Sequence, residues 1–470
     1  MKKVIAFCLI IMVLAGALCL DASADTPPGT FSCNSLRANT PLDGSEKLLP
    51  SADGVVLYEL NSGTLVYAYE PDDRLNPSSM VKIMSALVAI ENGRLEDLVT
   101  VRRDTLDSVP IGSVSAGLQK GEELTLHDLL YCCLVASAND ATAVMAEHIA
   151  GSQAAFVEMM NEKARELGCV DTLFSNVNGL NDDIQYSTAR DLAIITAAAL
   201  ENETFEQLFS TERYTLPATN LSGQREIYTT NYMASEDKVK GYYDSRVTGG
   251  KTAAATHTKR SLICTAEVGS ARYLSVVMSA DSVMNEDNIS VESFGSFLET
   301  DLLLDHVEES YALRQILDDD QSYSQLAVQG GSNDVVISPI RDVFTVLPLE
   351  YNPELLSFYT SLDPSLLVAP LSKGDALGVV RITYGSIVLG ECELAAMFDV
   401  PLASTTIRPA VPIAPEEQEE PVAHVFRWIL IGAGILIASV LLVLLMIRLV
   451  RNARIQKLHR RRKRNRRRSR

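Results

Sequence analysis

Residues 428–447 (WILIGAGILIASVLLVLLMI) form an uncharged run of twenty, and no other stretch limits the chain's possible arrangements as strongly. About twenty apolar residues, coiled as a helix, match the hydrocarbon thickness of a bilayer. Arg448 ends the run, and residues 448–470 carry thirteen Lys/Arg and no acid. Positive charge is retained on the cytoplasmic side. Residues 425–447 are therefore expected to be a single transmembrane helix, and 448–470 a basic cytoplasmic tail. The other end begins MKKVIAFCLIIMVLAGALCLDASADT, with two lysines, an apolar run and Ala22-Ser23-Ala24 before Asp25. That is the pattern of a secretory signal cleaved after residue 24. Cys19 would suit a lipoprotein, but Leu18 before it is too large for that cleavage pattern. Everything between the two ends is expected to lie outside the membrane.

The ends also divide the charge. The chain carries −19, of which the tail contributes +13, leaving −32 for all that precedes it. So acidic an outer part is a poor ligand for nucleic acid or anionic lipid. The tail could meet anionic headgroups or nucleic acid, or simply serve as a solvated stop-transfer segment. Six cysteines remain after signal removal (33, 132, 133, 169, 264 and 392), without a CxxC pair, so neither a zinc site nor a disulfide framework is indicated. No HExxH, GxSxG, Walker loop or GxGxxG is present.

Along the chain, residues 25–48 read as a loose lead-in. GVVLYELNSGTLVYAYE (54–70) is two strands joined by a turn, and a helix follows to about Glu91 with Gly93 as its stop. Residues 125–152 read as two helices broken near Ala136–Asp140. SQAAFVEMMNEKAREL and STARDLAIITAAAL are amphipathic helices with serine where an N-cap belongs. Strand character returns at 246–254, 260–267 and 272–280, and 291–307 reads as helix. The economical arrangement is α+β: one antiparallel sheet built from both ends of residues 49–308, flanked by helices, with a helical subdomain inserted. A cleft is expected between the halves. Residues 309–401 are strand-rich (SQLAVQ, VVISP, VFTVLPL, ALGVVRITYGSIVLGECELAA) and suggest a small β-sandwich-like domain. Residues 402–424, with four prolines and four glutamates, form an extended spacer.

Ser79 and Lys82 lie one helical turn apart, hence on one face. A serine hydroxyl needs a neighbouring base, and burial makes a lysine one by disfavouring its charged form. A helix N-terminus adds backbone N–H groups for a developing oxyanion. S-x-x-K is short, and Ser235–Lys238 repeats it in a polar stretch. Ser137 and Asn139 (ASANDA) sit in the helix break, facing the cleft, where a hydroxyl and an amide could relay a proton and bind a carbonyl. Ser32–Asn34 shows that S-x-N alone is weak. Lys251 and Thr252 (GGKTAAA) lie on a late strand, where a cation and a hydroxyl suit a substrate carboxylate.

The order S-x-x-K, S-x-N, K-T resembles the low-molecular-mass penicillin-binding proteins, the serine D-alanyl-D-alanine carboxypeptidases of peptidase family S11. The likeness extends to GSVSAGLQKGEELTLHDLLYCCLVASANDATAVMAEHIAGS, FVEMMNEKARELG and TLFSNVNGLNDDIQYSTARDLAIITAAAL, and spans about residues 50–400. It implies a β-lactamase/transpeptidase-like catalytic domain. It implies Ser79 as acylated nucleophile, Lys82 as base, Ser137 and Asn139 as the S-x-N pair, and Lys251 and Thr252 as carboxylate holders. The backbone N–H groups of Ser79 and Ala254 would form the oxyanion hole. The implied partners are peptidoglycan stem peptides in the bacterial envelope, with β-lactams as covalent ligands and no metal or cofactor. Three features depart from the family. Ala253 replaces a glycine, so a methyl group is expected beside the strand edge that substrate approaches. Asn178 stands where histidine is common. The anchor is a spanning helix rather than one lying on the membrane. A wall-binding homologue with little activity, or a β-lactamase, are the alternative readings.

Overall fold

The computed structural model describes residues 40–42, 48–49, 51–180, 182–236, 241–286 and 291–403. The signal, the transmembrane helix and the basic tail expected from sequence all lie outside these residues. Among the described residues no helix is long and apolar enough to cross a membrane.

The chain enters through the hairpin β1 (Gly54–Glu59) and β2 (Thr64–Tyr69). It then builds the helical insert from α1 (Val81–Asn92), β3 (Leu98–Thr100), α2 (Arg103–Asp107), β4 (Glu123–Thr125), α3 (Leu126–Leu134), α4 (Asn139–Ala150), α5 (Gln153–Glu166), α6 (Ala189–Leu200), α7 (Glu203–Phe209), β5 (Arg213–Leu216) and β6 (Arg225–Tyr228). It returns through β7 (Val247–Ala254), β8 (Lys259–Val268), β9 (Ala271–Met284), β10 (Val291–Phe294) and α8 (Gly295–Ser310). The sheet order β2-β1-β9-β8-β7, antiparallel throughout, joins both ends of this region, and β10 pairs with β9. β7 is therefore an edge.

Local chemistry sets the boundaries. Gly93 ends α1, and a Cβ there would lie 2.4 Å from a Leu126 methyl. Thr125 and Asp128 close a reciprocal capping box on α3, and the Ser152 hydroxyl caps α5. α6 is capped by Thr188 rather than Ser187, whose hydroxyl instead meets Thr172 at 2.8 Å. Residues 291–294, expected as helix, extend the sheet instead. The helix starts only at Gly295, where a Cβ would sit 1.9 Å from the Asp281 carbonyl oxygen.

The sheet has two covered faces. Ile263, Leu274, Val276 and Met278 join α1, α3, α4, α5 and α6 in one large core. Leu262, Cys264 and Ala266 turn the other way, onto Phe297 and Leu304 of α8. Side chains alternate along a strand, so this assigns each β7 residue to a face.

Residues 311–403 add β11 (Tyr311–Leu317), β12 (Ser324–Leu326), β13 (Val335–Pro339), β14 (Val343–Pro348), β15 (Leu356–Leu362), β16 (Ala376–Tyr384) and β17 (Ile387–Ala396). β11 and β14 form a pair, and the rest form a sheet ordered β12-β13-β17-β16-β15. Leu317, Val343 and Leu347 pack with Ile337, Val380 and Leu394 between them. Tyr384 faces Ile387 across the turn that YGS predicts, with Gly385 left-handed at φ +60°. On the other side of the β11–β14 pair, Val346 packs with Leu57 and Val66. The five described cysteines are buried and free, as small apolar side chains.

Candidate active site

Three segments supply the site. Pro77 leads into a short 3-10 turn, Ser78–Met80, that runs into α1. Ser78 is left-handed (φ +46°), an unusual conformation for serine, and its N–H donates to Asn76 Oδ1 at 2.9 Å. Its carbonyl oxygen packs against Gly179, where any Cβ would lie only 1.8 Å away. Ser79 is half-buried, and Lys82, one turn later, is fully buried.

Lys82 Nζ has three neighbours: Asn178 O at 2.5 Å, Asn139 Oδ1 at 2.8 Å and Ser79 Oγ at 3.4 Å. The first two can only accept. A neutral amine has two N–H bonds and one lone pair. With both hydrogens on these oxygens, the lone pair is left for the serine hydroxyl. Burial pushes the Lys82 pKa down to about 8, and among the described residues no carboxylate bonds to it to oppose the shift.

The break between α3 and α4 spans residues 135–138, with Ser137 left-handed at φ +59°. Asn139 opens α4 and points its side chain at Lys82. Asp140, next to it, was not anticipated as part of the site. Its carboxylate accepts from Ser115 Oγ (2.6 Å), Ala116 N (2.9 Å) and Leu118 N (3.1 Å), pinning the preceding loop. The Asn139 N–H donates to Val114 O at 2.8 Å, on the same loop. An aspartate in the first turn of a helix was the available signal.

On β7, Lys251 is buried and donates to Ser137 Oγ at 2.8 Å and to Thr252 O at 3.1 Å. Burial, then the Lys82 charge, pushes its pKa down to about 7. The Thr252 hydroxyl donates to Thr230 Oγ1 at 2.6 Å. Two glycines precede the lysine for steric reasons. A Cβ on Gly249 would lie 2.7 Å from Phe209 O, and one on Gly250 would lie 2.5 Å from Asn231 Nδ2.

Ala255 N donates to Lys259 O. Hydrogen-bonded pairs alternate along an antiparallel ladder, so residues 251 and 253 also bond to β8, while 252 and 254 turn N–H and C=O off the sheet edge. The Ser78 hydroxyl donates to Ala254 O at 2.8 Å. The Ala254 N–H thus points from the edge toward the start of α1.

Ala253 corrects the sequence expectation. Its methyl does not stand beside the open edge. It is buried in the core on the α1 side, in phase with Lys251. Asn178 contributes its backbone carbonyl to Lys82, while its side chain accepts from Leu180 N at 3.2 Å. Replacing histidine there leaves the lysine contact intact. Of the decoys, the Ser235 hydroxyl bonds Glu212 at 2.6 Å. Lys238, Ser32 and Asn34 lie outside the described residues.

The site therefore brings together Ser79, Lys82, Ser137, Asn139, Lys251, Thr252 and Ala254. Two polar residues absent from the sequence reading, Thr230 and Asp140, support it. A family profile described as D-alanyl-D-alanine carboxypeptidase, peptidase S11, matches residues 45–282. D-alanyl-D-alanine carboxypeptidase DacF of Bacillus subtilis is 28% identical over 76% of this chain and 87% of its own length. DacD of Escherichia coli is 29% identical over 70% and 81%. Penicillin binding protein 5 from Haemophilus influenzae superposes with a TM-score of 0.61 at 26% identity, covering 76% of this chain and all of that one.

Proposed function

Because this chain belongs to the D-alanyl-D-alanine carboxypeptidase family, peptidase S11, we propose that the cluster around Ser79 is its acylation site. The protein is a serine-type D-alanyl-D-alanine carboxypeptidase that binds penicillin. Its substrates are peptidoglycan stem peptides. Neutral Lys82 takes the Ser79 proton as Oγ attacks the carbonyl carbon of the D-Ala–D-Ala bond. The tetrahedral oxyanion lies between the N–H groups of Ser79 and Ala254. The proton returns to the leaving amine through Lys82 and Ser137. D-Alanine departs and leaves an ester on Ser79, which water cleaves by the same route in reverse. Asn139 orients the substrate backbone. Lys251 and Thr252 face the terminal carboxylate. A β-lactam acylates the same oxygen.

The observation that carries this reading is the Lys82 environment: a buried amine with two carbonyl acceptors and the Ser79 hydroxyl in its third direction. For location, the sequence of residues 425–470 supports a single-pass anchor with the site on the outer side of the bacterial membrane. Incubating the purified protein with labelled penicillin and with a D-Ala–D-Ala peptide tests the activity. Stable labelling with D-alanine release is expected. Labelling without release would mark a wall-binding homologue, and rapid penicillin turnover a β-lactamase.

A further inference from the structure

β15 is the outer strand of the five-stranded sheet, with β16 on one side and no described strand on the other. Exposed strand edges are usually blunted by charge, proline, a bulge or short length. β12, at the opposite edge of the same sheet, is only three residues long. β15 (LSFYTSL) has none of these devices. It runs for seven residues without charge or proline, in unbroken register on β16 from Leu356↔Tyr384 to Leu362↔Gly378. Leu356 and Leu362 pack against the core of this domain, and the Thr360 hydroxyl meets the Tyr323 hydroxyl at 2.7 Å, so the strand is held in place. Phe358, Tyr359, Thr360 and Ser361 are nevertheless all exposed, Tyr359 by 61%.

The hydrogen-bond phase fixes what this edge offers. Gly385 N donates to Leu355 O and Asp363 N to Leu377 O, so the odd-numbered residues bond to β16. Residues 356, 358, 360 and 362 turn their N–H and C=O groups outward. The sequence also reads nearly alike in either direction from Tyr359. Two copies laid antiparallel about a twofold axis at Tyr359 set Leu356 against Leu362, Ser357 against Ser361 and Phe358 against Thr360, with the two tyrosines facing each other. Outward-turned residues then meet outward-turned residues, and about eight hydrogen bonds can form. Charge does not oppose the contact. Glu354 meets Pro364 of the second copy and Asp363 meets Leu355, so no carboxylate faces another, although the outer part of the chain is strongly acidic. A foreign strand could use the same donors, but only a second copy matches the inverted repeat residue for residue.

We propose that β15 is a homodimer interface, in which the edges of two chains join antiparallel about Tyr359 into one continuous sheet. The pairing is smaller than a standard interface of about 1,600 Å², so the dimer is reversible and cross-linking is the suitable readout. Tyr359→Cys places two thiols on a non-hydrogen-bonded pair, whose Cα atoms, about 4.5 Å apart, suit a disulfide. Full-length chains carrying Tyr359→Cys, Ser357→Cys or Ser361→Cys are oxidised mildly in the expressing cells and separated without reductant. The wild-type chain, whose five described cysteines are buried, sets the background. Tyr359→Cys is expected to give about tenfold more covalent dimer than either serine variant alone, since like positions there lie about 13 Å apart along the strands. Ser357→Cys and Ser361→Cys chains expressed together should cross-link to each other as well as Tyr359→Cys does to itself, which fixes the register. Thr360→Pro removes an outward N–H without touching the β16 ladder, and should cut the Tyr359→Cys dimer about fivefold. Melting curves check each fold, and Thr360→Lys, a charge on the same edge, takes the place of the proline variant if that one is unfolded. No excess of dimer with Tyr359→Cys, equal cross-linking by all three single variants, a dimer undiminished by the Thr360 change, or capture of a different protein by Tyr359→Cys overturns the proposal.

Discussion

Lys82 on the helical side of the cleft and Lys251 on the strand side are both buried and both held below the ordinary lysine range. Their neighbours differ in kind. Lys82 faces two carbonyl oxygens that can only accept, plus one hydroxyl. Lys251 faces a hydroxyl and the carbonyl of its own neighbour. The first arrangement fixes where the hydrogens go and leaves a lone pair aimed at a nucleophile. The second leaves the ammonium free to meet an anion. Similar burial thus leaves two lysines with different surroundings, and the proposed roles of base and cation rest on their partners rather than on burial.

Substitution should separate the two roles most strongly. Lys82→Met is expected to slow acylation by labelled penicillin at least 10³-fold, at saturating ligand as well as below it. Lys251→Met should cost about 10²-fold, mainly in KM for the peptide. Equal patterns in the two variants would erase the distinction.

The pH profile sharpens the same comparison. Activity needs Lys82 neutral, which is favoured as pH rises through about 8, and Lys251 charged, which is lost as pH rises through about 7. The two requirements oppose, so kcat/KM should be bell-shaped with its maximum in that interval. Lys251→Arg keeps its charge and should abolish the alkaline fall while the acid limb stays. A profile that still falls at high pH in that variant would remove Lys251 from the alkaline limb.

A smaller effect concerns the core side of β7. Ala253→Gly deletes a buried methyl and loosens the backbone, and should lower stability by about 1 kcal/mol in thermal melts. Acylation should change by less than about twofold. A marked gain in turnover would mean that the methyl reaches the substrate after all. Smallest of all, Ser235→Ala should leave penicillin labelling unchanged, since its hydroxyl serves Glu212.

Much of the site could be read from the letters, because helix and strand periods convert spacing into direction. Ser79 and Lys82 share a face by their separation, and both ends of the catalytic region had to meet in one sheet for the hairpin at 54–70 to find partners. What escaped was carried by backbone groups or by phase. The Asn178 carbonyl could belong to any residue, so nothing in its side chain announced the contact with Lys82. Ala253 was placed at the open edge because a strand's period of two gives alternation but not which face is inward. That was fixed only by Ile263 and Leu262 packing on opposite layers. Thr230 reached Thr252 from a bend after β6, a tertiary contact that local sequence does not specify. β15 was missed because LSFYTSL presents most of its length to solvent and lacks a buried face.

The contact from the Ser78 hydroxyl to the Ala254 carbonyl has a mechanical consequence. It rivets the residue before Ser79 to Ala254, the two N–H bearers of the proposed oxyanion hole lying at its ends, although 176 positions of chain separate Ser78 from Ala254. If the helical insert and the sheet breathe apart, the jaws of this trap travel together, its aperture gauged at the Ser79 end by one 2.8 Å strut and at the Ser137 end by the Lys251 bond.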